Sequence, residues 1–328
     1  MDVTRGFAIF LVITYHGGTI LTRFVEPIPE AIAWAGDFFA PFRMPLLMFL
    51  SGMLLYRSLS KSTRVYFLGK LRSIGWPYLV WTAISLTVTA QWSLWALSRI
   101  PIVPPTYLWY LWFLLAFYAL AWVIARVGIN FAYVAAAAAI AAAFAPEEHR
   151  ISRFLFLFAF FCLGHWYQSQ AWPHSIGRQW RTLVAVACAA VVIAAGLLAV
   201  ASPEALRYKA AYIWAPLAGI ALVLAVAPGI QPKGIGLPLK LVGLNSIVFY
   251  VSHFGAIWIC YWWLAHLGAS APFFFYAIGV AFAFAVGWLL SKARQNRAID
   301  ALFVFPARSK SRVDTTVLPT ADPLRGSP

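Results

Sequence analysis

Residues 242–264 read V-G-L-N-S-I-V-F-Y-V-S-H-F-G-A-I-W-I-C-Y-W-W-L, twenty-three positions without one Asp, Glu, Lys or Arg. About 20 apolar residues in helical rise cover the hydrocarbon core of a bilayer, so this stretch predicts a membrane-spanning helix. The rest of the chain follows the same pattern. Of 328 residues 62% are hydrophobic and 11% charged, and mean hydropathy is +0.78. A soluble domain carries about 25% charged residues, which excludes a soluble enzyme, a disordered protein and a secreted disulfide scaffold. Cys162, Cys188 and Cys260 all fall in apolar runs and read as small buried hydrophobes, not as a disulfide or metal set.

Ten apolar segments are long enough to be candidate spans, at about 6–22, 40–57, 74–92, 107–125, 130–145, 154–169, 182–201, 211–227, 242–264 and 272–291. The expectation is therefore an all-α polytopic membrane protein of about ten transmembrane helices. The first segment lacks a basic leader and a small-residue cleavage site and is expected to be an uncleaved span. With both termini cytoplasmic, 18 of the 25 Lys and Arg fall inside and 7 outside, which obeys the positive-inside bias. A membrane domain over 1–305 and a disordered cytoplasmic tail over 306–328, rich in Pro, Ser, Thr and Arg, complete the expected organisation. The net charge of +15 is spent on topology, and nucleic acid is not an expected partner.

Ionisable groups at membrane depth cost free energy and point to function. None of the ten acids lies well inside an expected span, which speaks against an ion-coupled transporter. Histidine and arginine are there instead. Arg5 and His16 are eleven residues apart, three helical turns plus about 20°, so they share a face, and the rise of about 16 Å carries His16 to the midplane. His253, ten residues after Gly243, reaches a similar depth. Arg43 opens the second span in P-F-R-M-P, where Pro41 and Pro45 are expected to delay regular helix to about residue 44 and leave Arg43 below the outer surface. Ser51-Gly52 near mid-span suits close helix packing. The loop Arg57–Arg72 carries five cations and no acid; it anchors topology, and Lys70 and Arg72 are best placed to hold a phosphate-rich cytosolic ligand. His165 and His266 read as structural. No nucleophile elbow, zinc motif or nucleotide loop is present. A midplane imidazole suits proton abstraction from a hydroxyl. With no nucleophile beside it, the pattern points to direct transfer between ligands entering from opposite faces.

These segments together resemble the acyltransferase-3 family, bacterial membrane O-acyltransferases of surface glycans. D-V-T-R-G-F-A-I-F-L-V-I-T-Y-H (Asp2–His16) resembles its opening motif, an Arg and a His with ten residues between. R-M-P-L-L-M-F-L-S-G (Arg43–Gly52) resembles the second-helix motif of the branch that includes fucose O-acetyltransferases. K-L-R-S-I-G-W-P-Y-L-V-W (Lys70–Trp81), L-W-F-L (Leu111–Leu114) and N-S-I-V-F-Y-V-S-H (Asn245–His253) are similar to later landmarks. The resemblance implies acyl-CoA as co-substrate and no bound cofactor or metal. It implies transfer, most often of acetyl, to a hydroxyl of an envelope or exported glycan or glycolipid, in the cell membrane. It makes His16 the base and Arg5 a donor-site or organising residue. Arg43, His253, Ser51 and Asn245 would then contact substrate, and Lys70 and Arg72 the donor. Relatives usually have more residues before the first motif, which leaves open whether Met1 is the true start. Some relatives carry an appended extracytoplasmic domain; here the membrane domain would act alone or with a polysaccharide-synthesis partner. The rival expectations are a glycan or lipid transporter and a non-catalytic partner of a synthase.

Overall fold

The computed structural model describes residues 1–101, 107–146, 150–170, 177–230, 234 and 236–306. Among these residues the chain is helical, with no strand. In order, the helices are α1 (Asp2–Leu21), α2 (Glu30–Phe38), α3 (Ala40–Met53), α4 (Leu55–Leu59), α5 (Thr63–Lys70), α6 (Trp76–Val88) and α7 (Leu94–Arg99). There follow α8 (Trp109–Val127), α9 (Phe131–Phe144), α10 (Ile151–Ser169), α11 (Arg178–Ala201), α12 (Trp214–Val226), α13 (Gly236–Leu244), α14 (Ser246–His266), α15 (Pro272–Ala293) and α16 (Arg297–Asp300). Every one of the ten apolar segments is helical along most of its length. By length and composition, five helices among the described residues can cross a membrane, and six if α2 is joined to Ala40–Leu59 across a 43° bend. α1 and α10 fall outside that set because charged, imidazole and other polar groups lower their mean hydropathy. The protein is a helical membrane protein.

Three local expectations are corrected. Helix begins at Ala40, not near residue 44. Pro41 sits in the first turn, where an N–H would have no helical acceptor, and Pro45 costs only the bond to the Pro41 carbonyl. The basic stretch Arg57–Arg72 is mostly helix, because Tyr66 is buried and donates its hydroxyl to the Tyr118 carbonyl (2.8 Å). A π turn over Leu71–Gly75 leads into α6 where Pro77 withholds the next ladder donor. The run 242–264 is interrupted at Asn245, between α13 and α14. Of the expected tail, Pro306 is described and 307–328 lie outside the described residues.

Two glycine pairs set the helix spacing. A Cβ on Gly6 would strike the Leu239 carbonyl, and one on Gly243 the Asp2 carbonyl, so α1 and α13 touch backbone to backbone. Gly52 and Gly164 do the same for α3 and α10 against the carbonyls of Phe161 and Phe49. Small residues permit such approach, as Ser51-Gly52 suggested. Replacing Gly52 by Ala should cost about 1–3 kcal/mol, because backbone on both sides must move. Gly69→Ala, where a Cβ meets nothing within 4 Å, should be neutral or slightly stabilising. Thermal unfolding in detergent checks the pair; equal midpoints for the two variants would contradict the packing described.

Candidate functional site

The cavity that decides the chemistry lies where α1 and α6 end. It measures about 370 Å³, and its wall includes Tyr15, His16 and Thr19 of α1, Ser85 of α6, Tyr107, and Phe254 and Trp258 of α14. Arg23 and Gln91 stand in the same lining. Aromatic faces therefore surround an imidazole, an arrangement suited to stacking against the apolar face of a sugar ring. The Ser85 hydroxyl is buried and has no hydrogen-bond partner among the described residues, which leaves it available to a ligand.

His16 and His253 come together. Their ring centroids are 5.1 Å apart, with Tyr107 5.2 Å from His253 and 6.2 Å from His16. His253 is fully buried, and its Nδ1 lies 2.6 Å from the Tyr250 carbonyl. A carbonyl only accepts, so Nδ1 carries the proton and Nε2, which has no partner among the described residues, presents a lone pair. The hydroxyl of Thr19 donates to the His16 carbonyl (3.3 Å) and lies 3.5 Å from His16 Nδ1. Both contacts form together only if Nδ1 of His16 is the donor, which again leaves Nε2 as the base.

Arg43 does not line this cavity; it stands behind it. The side chain is 3% exposed, Nη1 donates to the Gly36 carbonyl (3.1 Å), and the guanidinium lies 3.4 Å from the centre of the Tyr15 ring. It fixes the bend between α2 and α3 against α1 and holds Tyr15 beside His16.

Ser51 is also away from the cavity. It donates to the Leu47 carbonyl (2.8 Å) and pairs with the Tyr110 hydroxyl (2.7 Å). Tyr118 donates to the Ser51 carbonyl (3.3 Å), and Lys70 places its ammonium 3.5 Å from the Tyr118 ring while bonding Ser58 (3.1 Å). Tyr110 in turn packs 5.1 Å from Tyr250, whose hydroxyl donates to the Tyr107 carbonyl (2.9 Å), and Tyr107 donates to Val251. A column of buried hydroxyls thus runs from Lys70 to the histidine pair. Arg5 is half-buried on α1 and is not part of the cavity lining.

Asn245 is not brought to the cavity; it bonds the Leu241 carbonyl (3.2 Å) at the α13–α14 break. Arg72 is exposed and separated from Lys70, facing Arg297 and Asp300 across another cavity. His165 packs 4.0 Å from Phe131, and His266 stacks on Trp262 at 3.8 Å. Among the described residues no three His, Cys, Asp or Glu are grouped to hold a metal ion.

The sequence pattern of a family described as an acyltransferase domain, acyltransferase-3, matches residues 1–292. The chain belongs to the acyltransferase-3 family. It is a membrane acyltransferase, and the Arg5–His16 helix and the α14 histidine both lie within the matched region. Searches of curated proteins and of solved structures return no match to this chain.

Since His16 lines the acyltransferase's cavity and His253 is sealed behind it, a histidine-acylating reagent such as diethyl pyrocarbonate should modify His16 and spare His253 in the folded protein. Peptide mass mapping reads this directly; prior modification of His253 would invert the assignment of open and buried imidazoles.

Proposed function

We propose that this acyltransferase moves an acyl group, acetyl first among candidates, from acyl-CoA to a hydroxyl of an envelope or exported glycan. The observation that carries the reading is His16 in the wall of an aromatic-lined cavity, with the buried His253 packed against it. The acceptor hydroxyl enters that cavity and gives its proton to His16 Nε2. Its oxygen attacks the thioester carbonyl, the C–S bond breaks, and the departing thiolate takes a proton, so ester and free CoA thiol are the products. His253 Nε2, backed by its bond to Tyr250, shares or orients that proton. The acyl chain approaches along the hydroxyl column from Lys70, whose ammonium meets the donor phosphates. Arg5 lends positive potential to the same route. Ten spans with both termini in the cytoplasm, in the cell membrane, place the donor on the cytosolic side and the cavity outside. The likeness of Arg43–Gly52 to the fucose O-acetyltransferase branch supports a sugar acceptor.

His16→Ala should lose at least about 10²-fold in acyl transfer, the lower end of what a general base contributes, with insertion and folding retained. His253→Ala should fall between that variant and His165→Ala, which changes little. Near-normal transfer by His16→Ala, measured in membranes and normalised to folded protein, would remove the proposed base.

Lys70 lies in α5, on the loop outside the expected spans, and burial, with a smaller contribution from Lys61, pulls its ammonium down to about 8. A lowered ammonium pKa means that the charge is present below pH 8 and lost above it. The apparent KM for acetyl-CoA should therefore rise as pH passes about 8, and Lys70→Arg should move that rise to higher pH. An acetyl-CoA KM that is flat from pH 7 to 9 would detach Lys70 from the donor.

A further inference from the structure

Among the described residues a second cavity is more strongly charged than the one at His16. It measures about 220 Å³ and is lined by Arg150 and Arg153 at the start of α10 and by Arg207 and Lys209 after α11, with Glu204 the one acid among the described lining residues. Glu204 does little to neutralise it. Its carboxylate is 3.9 Å from Arg207 and its side chain is 89% exposed, so the pair is weak. The guanidiniums are held by rings and hydroxyls instead. Arg153 lies 3.6 Å from the centre of the Trp109 ring and 4.5 Å from that of Tyr208, donates to the Tyr208 hydroxyl (3.3 Å), and has no partner for its buried Nε among the described residues. The first turn of α10 has no side-chain cap, so its amide groups add to the positive field. Arg150 and Tyr208, both in this lining, hold left-handed backbone (φ 60° and 59°), a strain that non-glycine residues keep where geometry matters.

This cavity communicates with the histidine site through one side chain. Arg207 donates to the Tyr15 hydroxyl (3.2 Å), and the Tyr15 ring lies 5.2 Å from that of His16. The chain segments that line the two cavities also share the expected outer side. We propose that the acceptor is an anionic glycan, its carboxylate or phosphate seated by Arg150, Arg153, Arg207 and Lys209 while a hydroxyl of the same molecule reaches His16. Planar guanidiniums match both oxyanions in a two-pronged geometry, which a neutral sugar cannot offer. The inference rests on the acyl-transfer reading for its chemistry, though not for the binding itself.

The test uses the full chain in lipid nanodiscs with three probes: a hexuronate oligosaccharide, the same oligosaccharide reduced to neutral hexose, and that neutral form carrying a phosphate monoester. Binding and acetyl transfer from acetyl-CoA are measured for each. At least one anionic probe should bind about 10-fold or more tighter than the neutral one, and which of the two does so names the anion. Arg150→Gln and Arg153→Gln should each shrink this preference about 10-fold, and Arg153→Lys, which keeps the charge but loses the fork, should fall between Arg153→Gln and the unaltered chain, which separates lost charge from lost fold. Equal binding of all three probes, or a preference that survives both neutral variants, would overturn the proposal. Acetyl transfer to the neutral probe without charge preference would sink the anion pocket and leave His16 standing. Anion preference without any transfer would keep the pocket and sink the proposed chemistry.

Discussion

A guanidinium closed off from water must be satisfied by whatever surrounds it, and Arg43 is closed off. It has no carboxylate within salt-bridge distance among the described residues; the Gly36 carbonyl and the face of Tyr15 take that role. Leaving such a charge unpartnered in apolar surroundings would cost several kcal/mol, so the bend between α2 and α3 and the position of α1 are tied to it. Tyr15 is the shared element. Its ring supports Arg43, its hydroxyl accepts from Arg207, and its neighbour in sequence is His16. The cavity's geometry is in this sense set from behind, by a cation that never faces it.

The same economy appears along the bundle axis. Acids are scarce inside the expected spans, and polar groups there answer one another as hydroxyl, carbonyl, imidazole and ammonium. Ser51 joins α3 to Tyr110, Tyr118 joins back to Ser51, and Lys70 rests on Tyr118. Neutral donors can be buried at modest cost when each finds an acceptor, whereas a carboxylate would need a fixed counter-charge.

Much of this was legible in the sequence, for physical reasons. Apolar run length announced the helices, because bilayer thickness fixes it. Helical rise placed His16 and His253 at one depth on two separate helices, and their rings do meet. Thr19 could have been read too, being one turn beyond His16 on the same face. Periodicity could not say which helices are neighbours. Tyr107 and Ser85 reach the cavity from other parts of the chain, and nothing local marks them. For the same reason Arg43 and Ser51, given as substrate contacts through the family resemblance, are placed against neighbouring helices, and Asn245 sits at a break that an uninterrupted apolar run concealed. Charge counting found the basic segments but not that Arg150, Arg153, Arg207 and Lys209 would meet in one place.

The segment after α15 has a consequence for where this domain ends. The family match stops at residue 292, yet the indole N–H groups of Trp76 and Trp81 donate to the carbonyls of Ala301 and Leu302 (2.6 and 3.0 Å). Phe303 is fully buried, 5.5 Å from the Trp81 ring, and the Phe305 amide donates to the Arg72 carbonyl (3.1 Å). A chain cut at the family boundary would strand two indole donors, open a phenylalanine-sized hole and release the carbonyl of the π turn below α6. The unit that folds is therefore longer than the unit that kinship defines, by the width of one strap.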